Sequence, residues 1–320
     1  MTPRRILWSI WGRGRRMWFP RRIRRLWWAI RMQANESVCS IEIKNEHVGF
    51  FAQMTWCLYI FQHCERHALI PDIRLTSNMY LDPKRGPNWL DYYFTSNERG
   101  SSGEKTRRIC YTKTINEWED MGQPFGADLS VDDGSRLLHK YLSLQPYITQ
   151  IVEDFWKELP SGPVLGIHFR GTDKASEAPR VSWAHCLDVL NAQLRSYPDI
   201  RAVFVASDEL GFVDFIVKSI KGPVFWRDDY YRSVDERAVH TAAGEAGGYE
   251  KGEDALVNAI LLSKCSVLVR TTSFLSAWAS IFNPILKVIL LNKPYSGNVW
   301  YPESEIVSKS DTDYVPEVHV

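Results

Sequence analysis

The chain has 320 residues, 45% of them hydrophobic, and a formal net charge of +1. This length and apolar content predict two globular domains or one large one, with a sizeable core. No run approaches about 18 apolar residues, which argues against a transmembrane helix, and no signal-peptide core follows the basic head. The six cysteines are scattered without paired spacing, so we expect buried free thiols rather than a disulfide framework.

The charge is unevenly distributed. Residues 1–32 contain ten arginines and five tryptophans but no acidic residue, whereas the remaining 288 residues carry 29 basic and 38 acidic groups, a net charge of −9. Interleaved Trp and Arg are typical of a segment on a membrane surface, because indole rings sit at headgroup depth and guanidinium groups contact anionic lipid. The competing readings are a nucleic-acid-binding segment and a disordered basic tail. We favour the membrane surface.

The first half of the chain alternates between strand and helix patterns. Strands are predicted at 39–43, 71–75 and 107–112, and helices at 50–68 and 135–159. The polar segment 76–104 predicts a long loop, and its aromatic residues either stack on a sugar or pack against the domain. They are Trp89, Tyr92, Tyr93 and Phe94.

The second half alternates more regularly. Strands are predicted at 164–169, 202–206, 223–226, 266–270 and 286–291, and helices at 182–196, 209–220, 253–263 and 274–282. Ser182 is a predicted helix cap, residues 160–163 a hinge, and residues 244–252 a Gly-rich loop. This order predicts a parallel, doubly wound α/β sheet.

The strand that begins at Val164 ends in a cluster of ionisable side chains. His168, Arg170, Asp173 and Lys174 lie within seven residues. Ligands of open α/β sheets bind beyond the carboxyl ends of the strands, and the guanidinium fork of an arginine fits two phosphate oxygens. The alternative is a salt-bridge cluster on the surface.

The spacing His-x-Arg-x-x-Asp-Lys at 168–174 resembles the donor-binding motif of the α1,6-fucosyltransferase and protein O-fucosyltransferase superfamily. Three further segments match in the same order: 49–53, 202–209 and 254–273. The resemblance covers roughly residues 48–291 and implies an α/β fold of GT-B type, with two Rossmann-like domains facing a cleft. We expect the basic head at 1–32, an acceptor-side domain at 33–160, a nucleotide-sugar domain at 161–300 and a C-terminal tail at 301–320.

The resemblance also implies a donor-binding set. Arg170 is expected to offset the charge of the leaving diphosphate, and the helix that starts after Gly49 is expected to offer N–H groups to phosphate. His168 and Asp254 are expected to bind guanine, although Asn258 lies closer to the position of the family's acid. The full set is His168, Arg170, Gly49, Phe51, Gln53, Ser207, Asp208, Asp254 and Ser273.

Structural roles compete with several of these assignments. Gly49 fits a tight turn before a core helix, and Asp208 and Ser273 fit helix N-caps. For the catalytic base, the resemblance implies Glu177, with Lys174 as a proton relay. The spacing from the Asp-Lys pair to Glu177 is one residue shorter than in the family motif. Two alternatives therefore stay open: Asp173 is the base, or Glu177 is only an exposed surface residue.

Two apparent metal motifs are discounted. His63 and His67 lie one helical turn apart, but no glutamate follows His63 directly and no third ligand is evident. Asp311 and Asp313 resemble a metal-binding acid pair but lie in a polar segment that predicts a solvated tail. We therefore expect neither a metal nor another cofactor.

The resemblance implies an inverting, metal-independent glycosyltransferase that transfers fucose from GDP-fucose to a glycan or lipid-linked acceptor. The alternative is a non-catalytic binding protein, associated with membrane or nucleic acid, that retains the fold. Nucleic acid is the less favoured partner. The cationic head and the lack of an export signal predict a cytoplasmic protein, peripheral on the inner membrane face.

Overall fold

The computed structural model describes residues 38–46, 48–97, 106–111, 129–171, 178–227, 247–295 and 312–317. Strands and helices alternate along these segments. In the first half they are β1 (Val38–Ile43), α1 (Phe50–Arg66), β2 (Ile70–Leu75), α2 (Leu90–Tyr93), β3 (Phe94–Ser96), β4 (Thr106–Tyr111), α3 (Val131–Tyr141), β5 (Leu142–Leu144) and α4 (Pro146–Lys157).

The second half contains the larger sheet. Its elements are β6 (Val164–Phe169), α5 (Trp183–Ser196), β7 (Ala202–Ser207), α6 (Leu210–Ser219), β8 (Val224–Phe225), α7 (Gly248–Ser263), β9 (Val267–Arg270), α8 (Phe274–Phe282), β10 (Lys287–Leu290) and β11 (Thr312–Tyr314). The order is β11-β10-β9-β6-β7-β8, and all pairings are parallel. A smaller parallel sheet, β2-β1-β4, lies in the first half, where β3 and β5 also form an antiparallel pair.

Four predicted segments differ from the structure, and the first is the loop predicted at 76–104, which contains α2 and β3. The helix predicted at 135–159 is two helices separated by β5, because Pro146 lacks an N–H and disfavours helical backbone in the residue before it. The Gly-rich loop predicted at 244–252 is partly helical, since α7 begins at Gly248. Residues 312–314, predicted to lie in a solvated tail, form the edge strand β11 against β10.

Side chains on the large sheet separate into two cores. Alternate residues such as Leu165 and Ile167 pack beneath α5 and α6, whereas Val164 and Leu268 belong to a core that extends into the first half of the chain. Successive strand residues point to opposite faces, which explains this division. The face that carries Val164 is therefore the face directed toward the smaller sheet.

Helices α1 and α8 join the two halves. The Trp278 ring lies 5.1 Å from that of Phe51, and its indole N–H donates a buried hydrogen bond of 2.9 Å to Thr55 Oγ1. The hinge predicted at 160–163 falls between α4 and β6. The domain boundaries themselves stay a prediction.

Candidate functional site

The ends of β6, β7 and β9 bring together residues that are far apart in the chain. His168 of β6 is paired in register with Ala206 of β7 and with Arg270 of β9. Register partners in a parallel sheet share a face, so His168 and Arg270 both lie on the face directed toward the first half of the chain. Arg170 and Asp208 follow the carboxyl ends of their strands at the same edge.

His168 is buried, and its Nδ1 has no hydrogen-bond partner among the described residues. Burial, together with the positive charges of Arg170 and Arg270, lowers the pKa of this imidazole to about 3. The ring is consequently neutral near pH 7. A neutral imidazole presents one donor and one acceptor, which suits a ligand that has both.

Arg170 lies at the mouth of the site. Its Nε is 3.8 Å from Asp208 Oδ2, and 21% of the arginine side chain is exposed to solvent. Its backbone N–H donates a 2.9 Å hydrogen bond to Thr271 Oγ1. These two contacts fix the residue from both sides while leaving the guanidinium accessible.

The segment from Arg270 to Ser273 is the most polar buried stretch of the described chain. All four side chains are almost completely buried. The backbone is held in place, because Thr271 N donates to His168 O at 3.0 Å and Thr272 N donates to Asn292 Oδ1 at 2.7 Å. In contrast, the hydroxyls of Thr272 and Ser273 have no partner within the described part of the protein. Burying unpaired hydroxyls costs free energy, so this arrangement favours a bound polar ligand.

Ser273 precedes α8, but its side chain makes no capping hydrogen bond. The competing interpretation of Ser273 as a helix cap is therefore wrong. Asp208 does not cap α6 either, because the residue at that position is Glu209. Ser207 Oγ accepts a 3.1 Å hydrogen bond from the backbone of Glu209 and shapes this turn.

The loop at Gly49 meets the site through Tyr80. Gly49 is the N-cap residue of α1 without a side-chain cap, and the ring of Phe50, the first residue of α1, packs edge-to-face on that of Tyr80 with centroids 5.5 Å apart. Burial raises the pKa of Tyr80 to about 12, although the nearby charge of Arg170 opposes the shift. Tyr80 therefore lies between the start of α1 and Arg170.

Two residues of the predicted donor set lie in the core instead. Gln53 is fully buried, and its amide nitrogen donates to Val48 O at 3.0 Å and Asn45 O at 3.4 Å. Its oxygen accepts from Ser77 Oγ at 3.2 Å. Phe51 packs against Trp278 and Phe282. Gln53 therefore shapes the loop before α1, and Phe51 joins the two halves of the chain.

The acid expected to bind guanine lies on α7. Asp254 is half-buried in the second turn of that helix, and Asn258 is buried one turn further on. Asp173, Lys174 and Glu177, predicted as base and proton relay, lie outside the described residues. So does Asp311 of the discounted acid pair; Asp313 is exposed, with its carboxylate 3.6 Å from Lys287 Nζ.

The aromatic residues of the loop predicted at 76–104 are buried, so they pack against the domain and do not form a surface for stacking on a sugar. Trp89 and Tyr93 are fully covered, and the Tyr93 hydroxyl donates to Tyr249 O on α7 at 2.7 Å.

His63 and His67 have ring centroids 4.4 Å apart, and no group of three metal-ligating side chains occurs in the described ranges. None of the described helices is long and apolar enough to span a membrane.

Sequence reasoning missed Arg270, Thr272 and Tyr80. An arginine at the end of the apolar strand Val267–Arg270 was a visible signal, because arginine side chains are mostly exposed. Tyr80 gave no signal, since it lies in a polar loop and reaches the site only through the packing of the two halves.

Comparison with solved structures identifies this architecture. NodZ α1,6-fucosyltransferase soaked with GDP-fucose matches with a TM-score of 0.52 at 17% identity, over 79% of this chain and 94% of the other. The same enzyme crystallised with GDP gives 0.50 at 16% identity, over the same fractions of the two chains. The selenomethionine form of NodZ from Bradyrhizobium gives 0.50 at 15% identity, again over 79% and 94%.

The fold is that of the GT-B fucosyltransferases. The fold predicted from the His-x-Arg-x-x-Asp motif is thereby confirmed. No protein-family model and no curated protein matches the sequence. At this level of identity the likeness establishes the architecture of the chain, and its activity has to be argued from its own residues.

Proposed function

We propose that this chain is an inverting glycosyltransferase that transfers fucose from GDP-fucose to a glycan or glycoconjugate. The observation that carries the proposal is a group of buried polar atoms near Arg170 that have no hydrogen-bond partner among the described residues: His168 Nδ1, Thr272 Oγ1 and Ser273 Oγ. They lie where ligands of parallel α/β sheets bind, at the carboxyl ends of β6 and β9. The crystallised enzymes with this fold bind GDP and GDP-fucose, which supports the choice of donor.

The diphosphate lies against Arg170 in this proposal. Transfer breaks the bond between the sugar's anomeric carbon and the β-phosphate oxygen, so negative charge develops on the leaving GDP. The guanidinium of Arg170 and the hydroxyls of Thr272 and Ser273 are fixed donors, and such donors stabilise developing charge without reorganising. This arrangement performs the electrostatic work through the protein's own groups, so we expect transfer to persist in EDTA.

The guanine base lies beside His168. Neutral imidazole can donate to one edge atom of guanine and accept from another, and a carboxylate accepts from guanine N1–H and N2–H₂. Asp254 is the carboxylate we assign to that role. Ser207 ends β7 and Asp208 follows it at the same edge of the sheet as Arg170, and both are assigned to hydroxyl groups of the donor.

The acceptor hydroxyl attacks the anomeric carbon from the face opposite the diphosphate, which inverts the configuration. Its proton passes to a carboxylate, and Glu177 is our assignment, with Asp173 as the alternative and Lys174 as the relay. The acceptor is a glycan or a lipid-linked glycan.

Ligand binding and turnover test this function together. Calorimetry should show binding of GDP and GDP-fucose, with little binding of UDP or CMP. Incubation with GDP-fucose should release GDP, slowly to water and faster with a suitable glycan. Binding of UDP species alone would contradict the donor assignment. GDP binding without any release of GDP would favour the non-catalytic alternative.

The head at 1–32 lies outside the described residues, and we propose that it attaches the enzyme to the anionic, cytoplasmic face of a membrane. Its ten arginines can each contribute roughly 1 kcal/mol near such a surface, and this attraction weakens with salt. The full chain should sediment with anionic vesicles and the variant lacking 1–32 should not, while both bind GDP equally. Preference for DNA over these vesicles at physiological salt would contradict the proposal.

A further inference from the structure

Asn292 connects two segments that are distant in the sequence. It lies shortly after the end of β10 and is almost completely buried, with 6% of its surface exposed. Its Oδ1 accepts a 2.7 Å hydrogen bond from the backbone N–H of Thr272, and its Nδ2 donates a 2.7 Å hydrogen bond to the carbonyl of Pro179. Because both ends of this buried amide are paired with backbone, Asn292 fixes the two segments relative to each other.

The stretch of chain between Arg170 and Pro179 is anchored at both of its ends. At its start, the backbone N–H of Arg170 donates a 2.9 Å hydrogen bond to Thr271 Oγ1. At its far end, Asn292 connects Pro179 to Thr272. Thr271 and Thr272 are adjacent in the sequence and directly follow β9. The two anchors therefore meet at the end of one strand of the larger sheet.

The residues assigned to proton transfer lie in the sequence between these anchors. They are Asp173, Lys174 and Glu177. Ala178 is buried, so the chain is docked on the body of the protein next to the point that Asn292 contacts. Holding both ends of a short stretch close together reduces the conformations open to it, and misplacing a reacting group by about 1 Å can reduce a rate roughly 10²-fold.

We propose that Asn292 is a positioning residue for transfer, which sets the separation between the end of β9 and the stretch that contains the proton-transfer groups. This proposal rests on the proposed function and adds a residue that the His-x-Arg-x-x-Asp motif does not contain. Asn292 does not contact the substrate and acts through Thr272 and Pro179. Arg170 keeps its own contact with Thr271, so loss of the amide should affect the rate of transfer more than the affinity for GDP.

Asn292→Ala removes both hydrogen bonds and tests the kinetic effect. We expect kcat for release of GDP from GDP-fucose to fall about 10- to 100-fold, whereas the Kd of GDP changes by less than about threefold. The destabilisation of the variant is measured by urea denaturation. This split between kcat and Kd is the result that a merely structural role of Asn292 would not produce.

The matched control is Asn283→Ala at the opposite end of β10. Asn283 makes the same two kinds of contact, because its Nδ2 donates to Ser263 O at 2.8 Å and its Oδ1 accepts from Ile285 N at 3.3 Å. Urea denaturation should show that the control is destabilised as well. Its kcat and its Kd for GDP should equal those of the wild type.

Trypsin tests the anchor without turnover. Arg180 is exposed and directly follows Pro179, whose carbonyl Asn292 contacts. Cleavage after Arg180, followed by mass spectrometry, should be about fivefold faster or more in Asn292→Ala than in the wild type, because loss of a hydrogen bond makes local opening easier. Asn283→Ala should be cleaved there at the wild-type rate.

The outcomes distinguish this inference from the proposed function. A wild-type protein that releases no GDP from GDP-fucose would overturn the proposed function. An active wild type would overturn the role of Asn292 in any of three cases: the kcat of Asn292→Ala is unchanged, its affinity for GDP falls as far as its kcat, or cleavage after Arg180 is no faster. Where the alanine variant does not fold, Asn292→Ser takes the same measurements, since its shorter side chain cannot bridge both partners.

Discussion

Arg170 and Asp208 form an ion pair that is too long for a hydrogen bond, with Nε and Oδ2 3.8 Å apart. The two residues follow β6 and β7, which are adjacent strands, and lie 38 positions apart in the sequence. Charge-assisted hydrogen bonds are about 2.7–2.9 Å long, so this carboxylate attracts the guanidinium from beyond hydrogen-bonding distance.

Substitution of Arg170 tests the central cation directly. Arg170→Ala should reduce transfer roughly 10²- to 10³-fold, because the leaving diphosphate loses a fixed donor. Arg170→Lys should restore only part of the rate, since an ammonium group cannot bind two oxygens as a fork. Steady-state kinetics with GDP-fucose provide the measurement. A rate for the alanine variant within about threefold of the wild type would remove Arg170 from the mechanism.

Two serines at helix starts make a matched pair. Ser273 Oγ has no partner in the described part of the chain, so Ser273→Ala should leave the free energy of unfolding nearly unchanged but weaken GDP binding about 10-fold or more. Ser182 Oγ accepts from His185 N at 3.1 Å and caps α5. Ser182→Ala should cost about 1 kcal/mol of stability and leave GDP affinity unchanged. Chemical denaturation and calorimetry on both variants check this, and the reverse pattern would contradict the assignment of Ser273.

We expect Gln53 to stabilise the fold and not to contact the donor. Gln53→Leu removes hydrogen bonds to the carbonyl groups of Asn45 and Val48 and leaves these acceptors buried, which should cost about 2–4 kcal/mol of the free energy of unfolding. The loop before α1 should become more accessible to proteolysis. A variant of wild-type stability that has nevertheless lost GDP binding would instead show direct contact between Gln53 and the donor.

Stability should depend on pH through His168 and His63. Burial lowers the pKa of His168 to about 3 and that of His63 to about 4, from an ordinary value of 6.5. Below about pH 6.5 the unfolded chain binds more protons than the folded chain, so the free energy of unfolding should fall as the pH is lowered from 6.5 toward 4. Urea denaturation at several pH values measures this slope.

The control for this pH dependence is His168→Gln, which cannot titrate. It should flatten the slope below pH 6.5, leaving the part due to His63. A wild-type protein whose stability is constant between pH 6.5 and 4 would mean that both imidazoles reach solvent when protonated.

The sequence by itself determined the succession of strands and helices in the second half and the polar end of β6. Apolar runs of strand length, separated by helical patterns, leave few alternatives to a parallel sheet, and the motif at 168–174 indicated the type of fold. Local sequence patterns could not assign a role to a side chain that suits two roles. Ser273 and Asp208 suited both a cap and a ligand, and only the tertiary structure showed that neither caps a helix.

The same limit explains the residues that were missed or misplaced. Gln53 and Phe51 belong to a motif-like segment, but their direction is set by the packing of α1 against α8 and against the loop that contains Ser77. Arg270 became part of the site through the register of β9 with β6, and Tyr80 through the close approach of the two halves of the chain. Register and packing between elements depend on contacts between residues far apart in the sequence, and the pattern within one element does not specify which strand or helix lies beside it.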